Sequence, residues 1–411
     1  MEQNLSLYLH IPFCVRKCLY CDFLSGPQSA DVQEQYVEAL CREIQETSPE
    51  YREFQVVSVF IGGGTPSVLQ PEQTVRIMET VKHCFALTDT CEISMEMNPG
   101  TVTPEKMRSY HACGINRISI GLQSANDREL KALGRIHTYA DFLKAYEMAV
   151  EAGFTNINVD LMSAIPEQTM DSYQETLQKA LALQPPPAHI SAYSLIVEEG
   201  TPFYEQELNL PDEDTERRMY EITDDILRKA GYHRYEISNY AKEGKECFHN
   251  KVYWQRGNYL GLGIGSASLI RNVRFHNMTD ILSYVNLILG KNEIEDASKE
   301  HGGKFHAGKD YLKKENAEKE QVKKLREDVQ ELPVEEEMEE FMFLGLRMME
   351  GVSERKFYEN FGRRFEEVFP GVIEKHEKLG LLEVTGEEFV HLRLTPHGID
   401  VSNQVFVDFM L

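Results

Sequence analysis

The sequence has few basic residues relative to its acidic ones. Its 411 residues include 43 Lys and Arg against 67 Asp and Glu, which gives a formal net charge of −24. Nucleic acids and anionic membranes attract proteins through exposed Lys and Arg side chains. The composition therefore argues against nucleic acid as a partner and against direct binding to a membrane surface.

The sequence also lacks long hydrophobic runs. No apolar stretch approaches the ~20 residues that a membrane-spanning helix needs. The N-terminal stretch has no basic residues before its apolar part, which is interrupted by His10 and Pro12. Neither feature is typical of a targeting signal. We therefore expect a soluble, cytoplasmic protein that meets a membrane only through a partner.

Cysteine is too sparse for a disulfide scaffold. Eight cysteines in a chain of this length do not form one, and five of them are scattered singly. Reduced thiols fit the cytosol, and ordinary burial accounts for most scattered cysteines. The scattered cysteines are Cys41, Cys84, Cys91, Cys113 and Cys247.

The remaining cysteines, Cys14, Cys18 and Cys21, form a CxxxCxxC run. Thiolates are soft ligands that select iron–sulfur clusters and zinc. Structural zinc normally has four protein ligands, whereas three thiolates on a [4Fe–4S] cube leave one iron open to an external ligand. The spacing therefore predicts a [4Fe–4S] cluster with an open iron. The alternative is that the three cysteines are structural.

Short apolar runs alternate with helix-length amphipathic segments in the first half of the chain. The predicted strands are 6–11, 56–61, 92–97, 117–120, 156–161 and 189–195. The predicted helices are 30–47, 71–84, 104–113, 126–133, 139–152 and 170–183. Successive β/α units imply an α/β fold with a parallel sheet, and parallel barrels carry their chemistry at the C-terminal ends of the strands.

The cysteine triad and its surroundings resemble the radical S-adenosylmethionine (SAM) superfamily. The triad follows the first strand, and an aromatic residue, Tyr20, precedes the third cysteine. The resemblance implies a partial (β/α)6 barrel in which SAM chelates the open iron and Tyr20 lies beside the adenine. Tyr8 matches a SAM-contacting tyrosine of the coproporphyrinogen oxidase branch.

Polar and glycine residues follow the other predicted strands, as the family pattern implies. The run Gly62-Gly63-Gly64-Thr65-Pro66 matches the glycine motif that receives the SAM amino group. Each of the others, read alone, is compatible with a solvated or capping role. Together with the glycine motif, the positions implied to contact SAM are Gly63, Gly64, Thr65, Glu96, Gln123, Arg135 and Asp160.

A second motif contains the single Trp of the chain. His249-Asn250-Lys251-Val252-Tyr253-Trp254 resembles the HNxxYW signature of the heme chaperone (HemW) subgroup of oxygen-independent coproporphyrinogen III oxidase-like proteins. Imidazole is a common axial ligand of heme iron, and flat aromatic rings suit a macrocycle. His249, Tyr253 and Trp254 are therefore candidate heme-binding residues. Cys247 is a rival ligand, and the motif could instead shape the pocket.

Composition divides the chain into four expected parts. The partial barrel is expected in 1–200, and an extension with the HNxxYW segment in 201–290. A charged Lys/Glu-rich insertion or linker follows in 291–335, too polar to form core. A smaller, mainly helical, winged-helix-like C-terminal domain is expected in 336–411.

The resemblance leaves three functions to compare. The true oxidase carries a fourth cysteine after the triad and an N-terminal extension, whereas here Asp22-Phe23 follows Cys21 and the first strand begins at residue 6. Both departures favour a heme chaperone that passes heme to an unidentified acceptor protein. The alternatives are a coproporphyrinogen III oxidase and a radical SAM enzyme acting on another substrate. The implied cofactors are a [4Fe–4S] cluster, SAM and heme.

Overall fold

A computed structural model describes residues 3–290 and 322–411 and joins their longest strands into one twelve-stranded sheet. Six strands pair in parallel and in chain order. They are β1 Gln3–Ile11, β2 Phe54–Gly63, β3 Leu87–Met97, β4 Arg117–Gln123, β5 Ile157–Ser163 and β6 His189–Ser194. The predicted strands are all confirmed, with differences of a few residues at their ends.

Helices follow each of these strands and cover the outside of the sheet. They are α1 Ala30–Thr47, α2 Pro71–Cys84, α3 Pro104–Ala112, α4 Asp127–Ala132, α5 Tyr139–Glu151, α6 Met170–Leu181 and α7 Glu213–Lys229. Side-chain caps help to fix where they begin: Ser29 accepts from the Val32 N–H, and Thr103 from the Lys106 N–H.

The two faces of the parallel sheet differ in chemistry. Leu5, Leu7 and Leu9 of β1 are completely buried in the apolar core that includes residues of the surrounding helices. The alternate positions carry polar side chains, and Ser58 Oγ donates to Ser6 Oγ at 2.6 Å between β2 and β1. Because side chains alternate along a strand, an apolar outer layer leaves a polar interior in which a site can form.

Further strands extend the sheet at both edges. Beyond β1 lie β9 Tyr259–Leu262, β10 Ala267–Ile270, β11 Val273–Asn277 and β12 Arg326–Glu331, and beyond β6 lie β8 Asn239–Ala241 and β7 His233–Glu236. Only β9 among these is parallel to its partner in the barrel, β1. The outermost strands β12 and β7 do not pair with each other, so the barrel is partial, as expected.

The predicted charged insertion differs from the structure at its C-terminal end. Residues 291–321 of this prediction lie outside the described residues. The following segment belongs to the main sheet, because β12 pairs with β11 and Leu325 is completely buried. Five of the six residues of β12 are exposed, so backbone pairing rather than apolar patterning holds the strand. This explains why the polar sequence gives no sign of it.

The C-terminal part has a separate apolar core centred on Phe357, whose ring lies 4.7 Å from Phe361 and 4.9 Å from Phe365. Its antiparallel sheet has the order β13 Val352–Ser353, β15 His391–Leu394 and β14 Leu382–Thr385. Two further helices of the first part are α8 Phe248–Trp254 and α9 Ile281–Leu289. The helices of the C-terminal part are α10 Val334–Gly345, α11 Glu354–Phe361, α12 Phe365–Val368, α13 Val372–Lys378, α14 Pro396–Asp400 and α15 Ser402–Val407. The expected fold class, a partial barrel with a mainly helical C-terminal part, is confirmed.

Within the described parts of the chain, no helix is long and apolar enough to cross a lipid bilayer.

Candidate cofactor site and the HNxxYW helix

The cysteine triad lies on the loop that follows β1. Cys14 N–H donates to the Gly26 carbonyl at 3.1 Å, and the Gly26 N–H donates to the Pro12 carbonyl at 3.0 Å, which closes the loop at its base. Leu19 N–H donates to the Leu133 carbonyl at 3.2 Å and ties the middle of the loop to the end of α4. All three thiols are free and partly exposed. The loop therefore presents them at the C-terminal edge of the sheet.

Donors from two other segments, the turn after β2 and the connection between α4 and α5, point at the cysteine sulfurs. Thr65 Oγ1 lies 3.5 Å from Cys14 Sγ, and Arg135 Nη1 lies 3.7 Å from Cys18 Sγ. Hydrogen bonds to sulfur stabilise the anionic thiolate that a metal ligand must be. Among the described residues, no three His, Cys, Asp or Glu side chains converge on one ion. A cube with three ligands does not need such convergence, because each thiolate binds a different iron, so the triad fits a cluster.

The glycine motif brings β2 close to the triad loop. Gly64 N–H donates to the Ile11 carbonyl at 2.9 Å, and Thr65 N–H donates to the Phe13 carbonyl at 2.7 Å. A Cβ atom on Gly64 would lie 2.7 Å from the Phe13 oxygen, so a side chain there would force the two segments apart. Gly63 has φ +111°, which only glycine adopts readily. The motif is thus required by the backbone around the triad.

Arg135 connects the triad to three strand ends. Its Nη2 donates to Asn98 Oδ1 at 2.5 Å and to the Gly121 carbonyl at 3.0 Å, and its Nη1 lies 3.4 Å from the Tyr20 hydroxyl. Asn98 in turn donates to Thr65 Oγ1 at 2.8 Å. Asn98 is a site residue that the sequence patterns did not identify. Its position directly after β3, where polar residues gather in parallel sheets, was the available signal.

Two carboxylates lie beside this network, Glu96 near the end of β3 and Asp160 one layer deeper in the barrel. Glu96 Oε2 accepts from the Gly63 N–H at 3.1 Å, and Asp160 accepts from Ser119 and Asn158, both at 2.8 Å. Burial, and then the nearby Asp160 charge, raise the pKa of Glu96 to about 7. Burial likewise raises the pKa of Asp160. Two buried acids side by side favour a cationic neighbour.

The other predicted SAM contacts surround the same space. Gln123 has φ +66°. Its side-chain amide lies against Gly121, so close that a Cβ atom on this glycine would be 2.9 Å from Gln123 Nε2. Tyr8 lies deeper, with its hydroxyl 3.1 Å from His10 Nδ1. Because His10 Nε2 donates to the Leu24 carbonyl, Nδ1 of the neutral ring carries no proton and accepts from the Tyr8 hydroxyl. The structure thus groups the triad, Thr65, Glu96, Gln123 and Arg135 at the strand ends. Tyr8 and Asp160 lie one layer below.

The HNxxYW segment forms α8 at the opposite end of the barrel. His249 contacts Ser58, which precedes Gly63 by five residues of β2, a separation of about 16 Å along a strand. The Glu92 carboxylate accepts from the backbone N–H groups of Phe248 at 3.1 Å and His249 at 3.2 Å. The helix is therefore anchored at its first turn by a residue near the start of the inner face of β3.

His249 is fully engaged inside the protein. Its Nδ1 lies 2.9 Å from Ser58 Oγ, its Nε2 lies 2.9 Å from the Tyr253 hydroxyl, and its side chain is 1% exposed. Burial, with the Arg117 charge second, lowers the pKa of His249 to about 3. Cys247 is 0% exposed, and burial raises its pKa to about 12. Neither candidate heme ligand is accessible in this conformation.

Trp254 is the member of the motif that reaches a cleft. Its ring lies under the Arg347 guanidinium at 4.4 Å and lines the space between α8 and the C-terminal part. Tyr253 remains inside, packed edge to face against Tyr259 at 4.6 Å. A single aromatic ring, that of Phe60, separates His249 from the SAM candidate Tyr8, because it lies 5.1 Å from the His249 ring and 6.4 Å from the Tyr8 ring.

Comparison with known proteins gives the family. The family model described as Radical SAM superfamily matches residues 8–180, and the one described as HemN C-terminal domain matches residues 332–401. A Bacillus subtilis relative named Heme chaperone HemW is 35% identical over 410 residues, covering 98% of this chain and 99% of the relative. A Lactococcus lactis relative of the same name is 34% identical and covers 100% of this chain and 98% of the relative.

A solved structure shares the whole fold. Coproporphyrinogen III oxidase (HemN) from Escherichia coli, described as a radical SAM enzyme, superposes with a TM-score of 0.80 over 100% of this chain and 90% of that one, at 21% identity. At this identity the likeness concerns the fold alone. The full-length relatives show the family and confirm the resemblance stated from the sequence: this chain belongs to the HemN-like family of the radical SAM superfamily, the family that also contains the HemW proteins.

Proposed function

We propose that this protein is a heme chaperone that carries a [4Fe–4S] cluster and SAM and passes heme to an acceptor protein. The observation that carries the proposal is the identity of about one third, over essentially the full length, to relatives named heme chaperone. Membership of the radical SAM superfamily implies the cluster and SAM. We also propose that the chain is organised as 1–200, 201–290, 291–335 and 336–411, the division expected from the sequence, except that β12, at the end of the third part, pairs with the main sheet.

Cys14, Cys18 and Cys21 would hold the cluster. Thr65 and Arg135 support this assignment, because each directs a donor at one of the sulfurs. When bound, the cluster supplies an open iron and a transferable electron. The protein's own contribution is to fix the triad loop by the backbone contacts of Gly64 and Thr65.

The SAM site would lie beside the triad, lined by Tyr8, Tyr20, Gly63, Gly64, Thr65, Glu96, Gln123, Arg135 and Asp160. Glu96 suits the ammonium group of SAM, since a cation nearby would favour its ionised form despite burial. Arg135 already contacts Cys18, Tyr20, Asn98 and Gly121. It would therefore hold the triad and Tyr20 in place while attracting the SAM carboxylate.

Heme would bind near α8, as the HNxxYW resemblance implies. The missing fourth cysteine, replaced by Asp22-Phe23 after Cys21, favours this function over oxidation of coproporphyrinogen III. His249, Tyr253, Trp254 and the rival Cys247 remain predictions as heme-binding residues.

The test is to reconstitute the full chain anaerobically and to run two assays in parallel. Hemin is titrated and followed by its Soret band, and coproporphyrinogen III turnover is followed by product formation. One hemin per chain without turnover is the expected result. Formation of protoporphyrinogen IX would overturn the chaperone assignment, and so would failure of the wild type to bind hemin.

A further inference from the structure

A large cleft lies between α8 and the C-terminal part of the chain. Its volume is about 780 Å³, within the range of about 300–1,000 Å³ typical of small-molecule sites. Its walls include the aromatic rings of Trp254, Phe341 and Phe361. Flat rings of this kind pack well against a planar macrocycle. The cleft therefore has the size to hold a porphyrin, and its aromatic residues give part of its wall a flat apolar surface.

The lining also contains a histidine with a free ring nitrogen, His391 of β15. Its Nε2 lies 2.6 Å from the backbone carbonyl oxygen of Glu350. A carbonyl can only accept, so Nε2 must carry the proton, and Nδ1 of the neutral ring keeps its lone pair. Nδ1 has no hydrogen bond to any described residue. Metal-binding histidines commonly show this arrangement, with one nitrogen held by a carbonyl and the other on the metal.

His391 and His249 differ in the respect that matters for ligation. Both ring nitrogens of His249 have hydrogen-bond partners, and the side chain is buried beneath Phe60 and Tyr253. An iron could reach it only if α8 moved and these bonds broke. His391 is partly exposed, and its single hydrogen bond would assist ligation by Nδ1 rather than oppose it.

We propose that heme binds in this cleft with His391 Nδ1 as an axial ligand, while Trp254 links the HNxxYW motif to the macrocycle. The inference rests on the proposed function and names the site where the heme is held. Lys356, exposed at the cleft, is suited to a heme propionate. Glu350 and Glu359 also line the cleft, and Arg256 is paired with Glu337.

The experiment compares hemin titrations of the full-length, anaerobically reconstituted wild type with His391→Ala. We expect the Soret maximum of the variant to shift towards that of free hemin, and its hemin binding to weaken at least about tenfold, the lower end of the effect of losing an outer-shell partner of a metal ligand. Added imidazole should reverse the spectral shift by occupying the vacated position. His397→Ala, exposed in the same part of the chain, is the control and should bind as the wild type does.

An unchanged Soret band and hemin affinity in His391→Ala, with a wild type that binds hemin, would overturn the site but leave the chaperone function standing. A wild type that binds no hemin would overturn both. If His391→Ala does not fold, Lys356→Glu replaces it, because that side chain is exposed. Lys356→Glu should weaken hemin binding, whereas Lys378→Glu, outside the cleft, should not; equal affinities in the two would refute the proposal.

Discussion

The Glu92 carboxylate accepts a hydrogen bond from the backbone N–H of His249 at 3.2 Å, across the floor of the barrel. The same carboxylate accepts from the Phe248 N–H and from the Cys247 thiol at 3.6 Å. Three donors at the start of α8 thus converge on one residue of β3. This contact, between segments far apart in the chain, determines how the HNxxYW motif is presented.

Removing the Glu92 carboxylate should therefore loosen α8. Glu92→Ala leaves the partly buried His249 N–H and the exposed Phe248 N–H without their acceptor, and only the first carries the penalty of a buried group, so we expect a loss of about 1–3 kcal/mol in unfolding free energy. Urea unfolding measures it. Glu243→Ala, an exposed carboxylate in the nearby loop, should change stability by no more than about 0.5 kcal/mol. Equal stability of the two variants would contradict the anchoring role.

The cysteine triad should account for all bound iron. Replacing Cys14, Cys18 or Cys21 with Ser removes one of three ligands, and we expect most of the iron and the cluster absorbance to disappear after anaerobic reconstitution. Cys84→Ser, a thiol away from the triad loop, is the control and should retain both. Full iron content in any triad variant would rule out that cysteine as a ligand.

Glu96 should make SAM binding release a proton near neutral pH. Burial raises the pKa of Glu96 from 4.5 to about 7, and a bound ammonium group would lower it again. Calorimetric titration of SAM near pH 7, in two buffers with different ionisation enthalpies, measures the proton release. It should vanish in Glu96→Gln and persist in the exposed control Glu105→Gln. Persistence in Glu96→Gln would exclude Glu96 as its source.

The same residue should affect stability in the absence of SAM. Because its pKa is raised in the folded protein, the folded state binds more protons than the unfolded chain between about pH 4.5 and 7. The contribution of Glu96 to stability is thus present below this window and lost as the pH rises through it. Urea unfolding across these pH values should show a shallower decline in Glu96→Gln. An identical pH profile would show that the pKa of Glu96 is not raised.

His249 should matter more for stability than for heme ligation. His249→Ala removes hydrogen bonds to Ser58 and Tyr253 and leaves a cavity, so we expect a loss of about 2–4 kcal/mol in unfolding free energy. If His391 is the ligand, the hemin Soret band of this variant should stay at the wild-type position. His83→Ala, an exposed histidine, controls for the substitution itself. A displaced Soret band in a stable His249→Ala protein would instead support His249 as the ligand.

The segment before β12 should be part of the core. Leu325 is 0% exposed, and its carbonyl accepts from the Met278 N–H at 2.8 Å. We expect Leu325→Ala to cost about 2–5 kcal/mol, as is typical for a buried leucine. Val329→Ala, in the adjoining strand β12 but 60% exposed, should be nearly neutral when both are measured by thermal unfolding. If Leu325→Ala left the unfolding temperature unchanged, this segment would belong to the charged insertion, as predicted from the sequence, rather than to the core.

The sequence alone determined the features that depend on spacing within one segment. The triad occupies a single loop, the glycine motif a single turn, and the strands and helices follow from local periodicity. These patterns were sufficient for the fold class and for the family resemblance, and that resemblance implied that Thr65, Glu96 and Arg135 lie beside the cysteines. Parallel strands bring their C-terminal ends together at one edge of the sheet, so residues that follow different strands lie close to one another in the folded protein.

Only the tertiary structure decided which side chains are accessible and which distant segments meet. The sequence HNxxYW does not indicate whether His249 is buried or exposed. Its two hydrogen bonds depend on how α8 packs beneath β2. His391 and Trp254 line one cleft because the C-terminal part packs against α8, a relation with no periodic trace in the sequence. The polar strand β12 exists because β11 offers it a backbone edge. Pairing and burial arise from packing between remote segments, and local composition does not encode them.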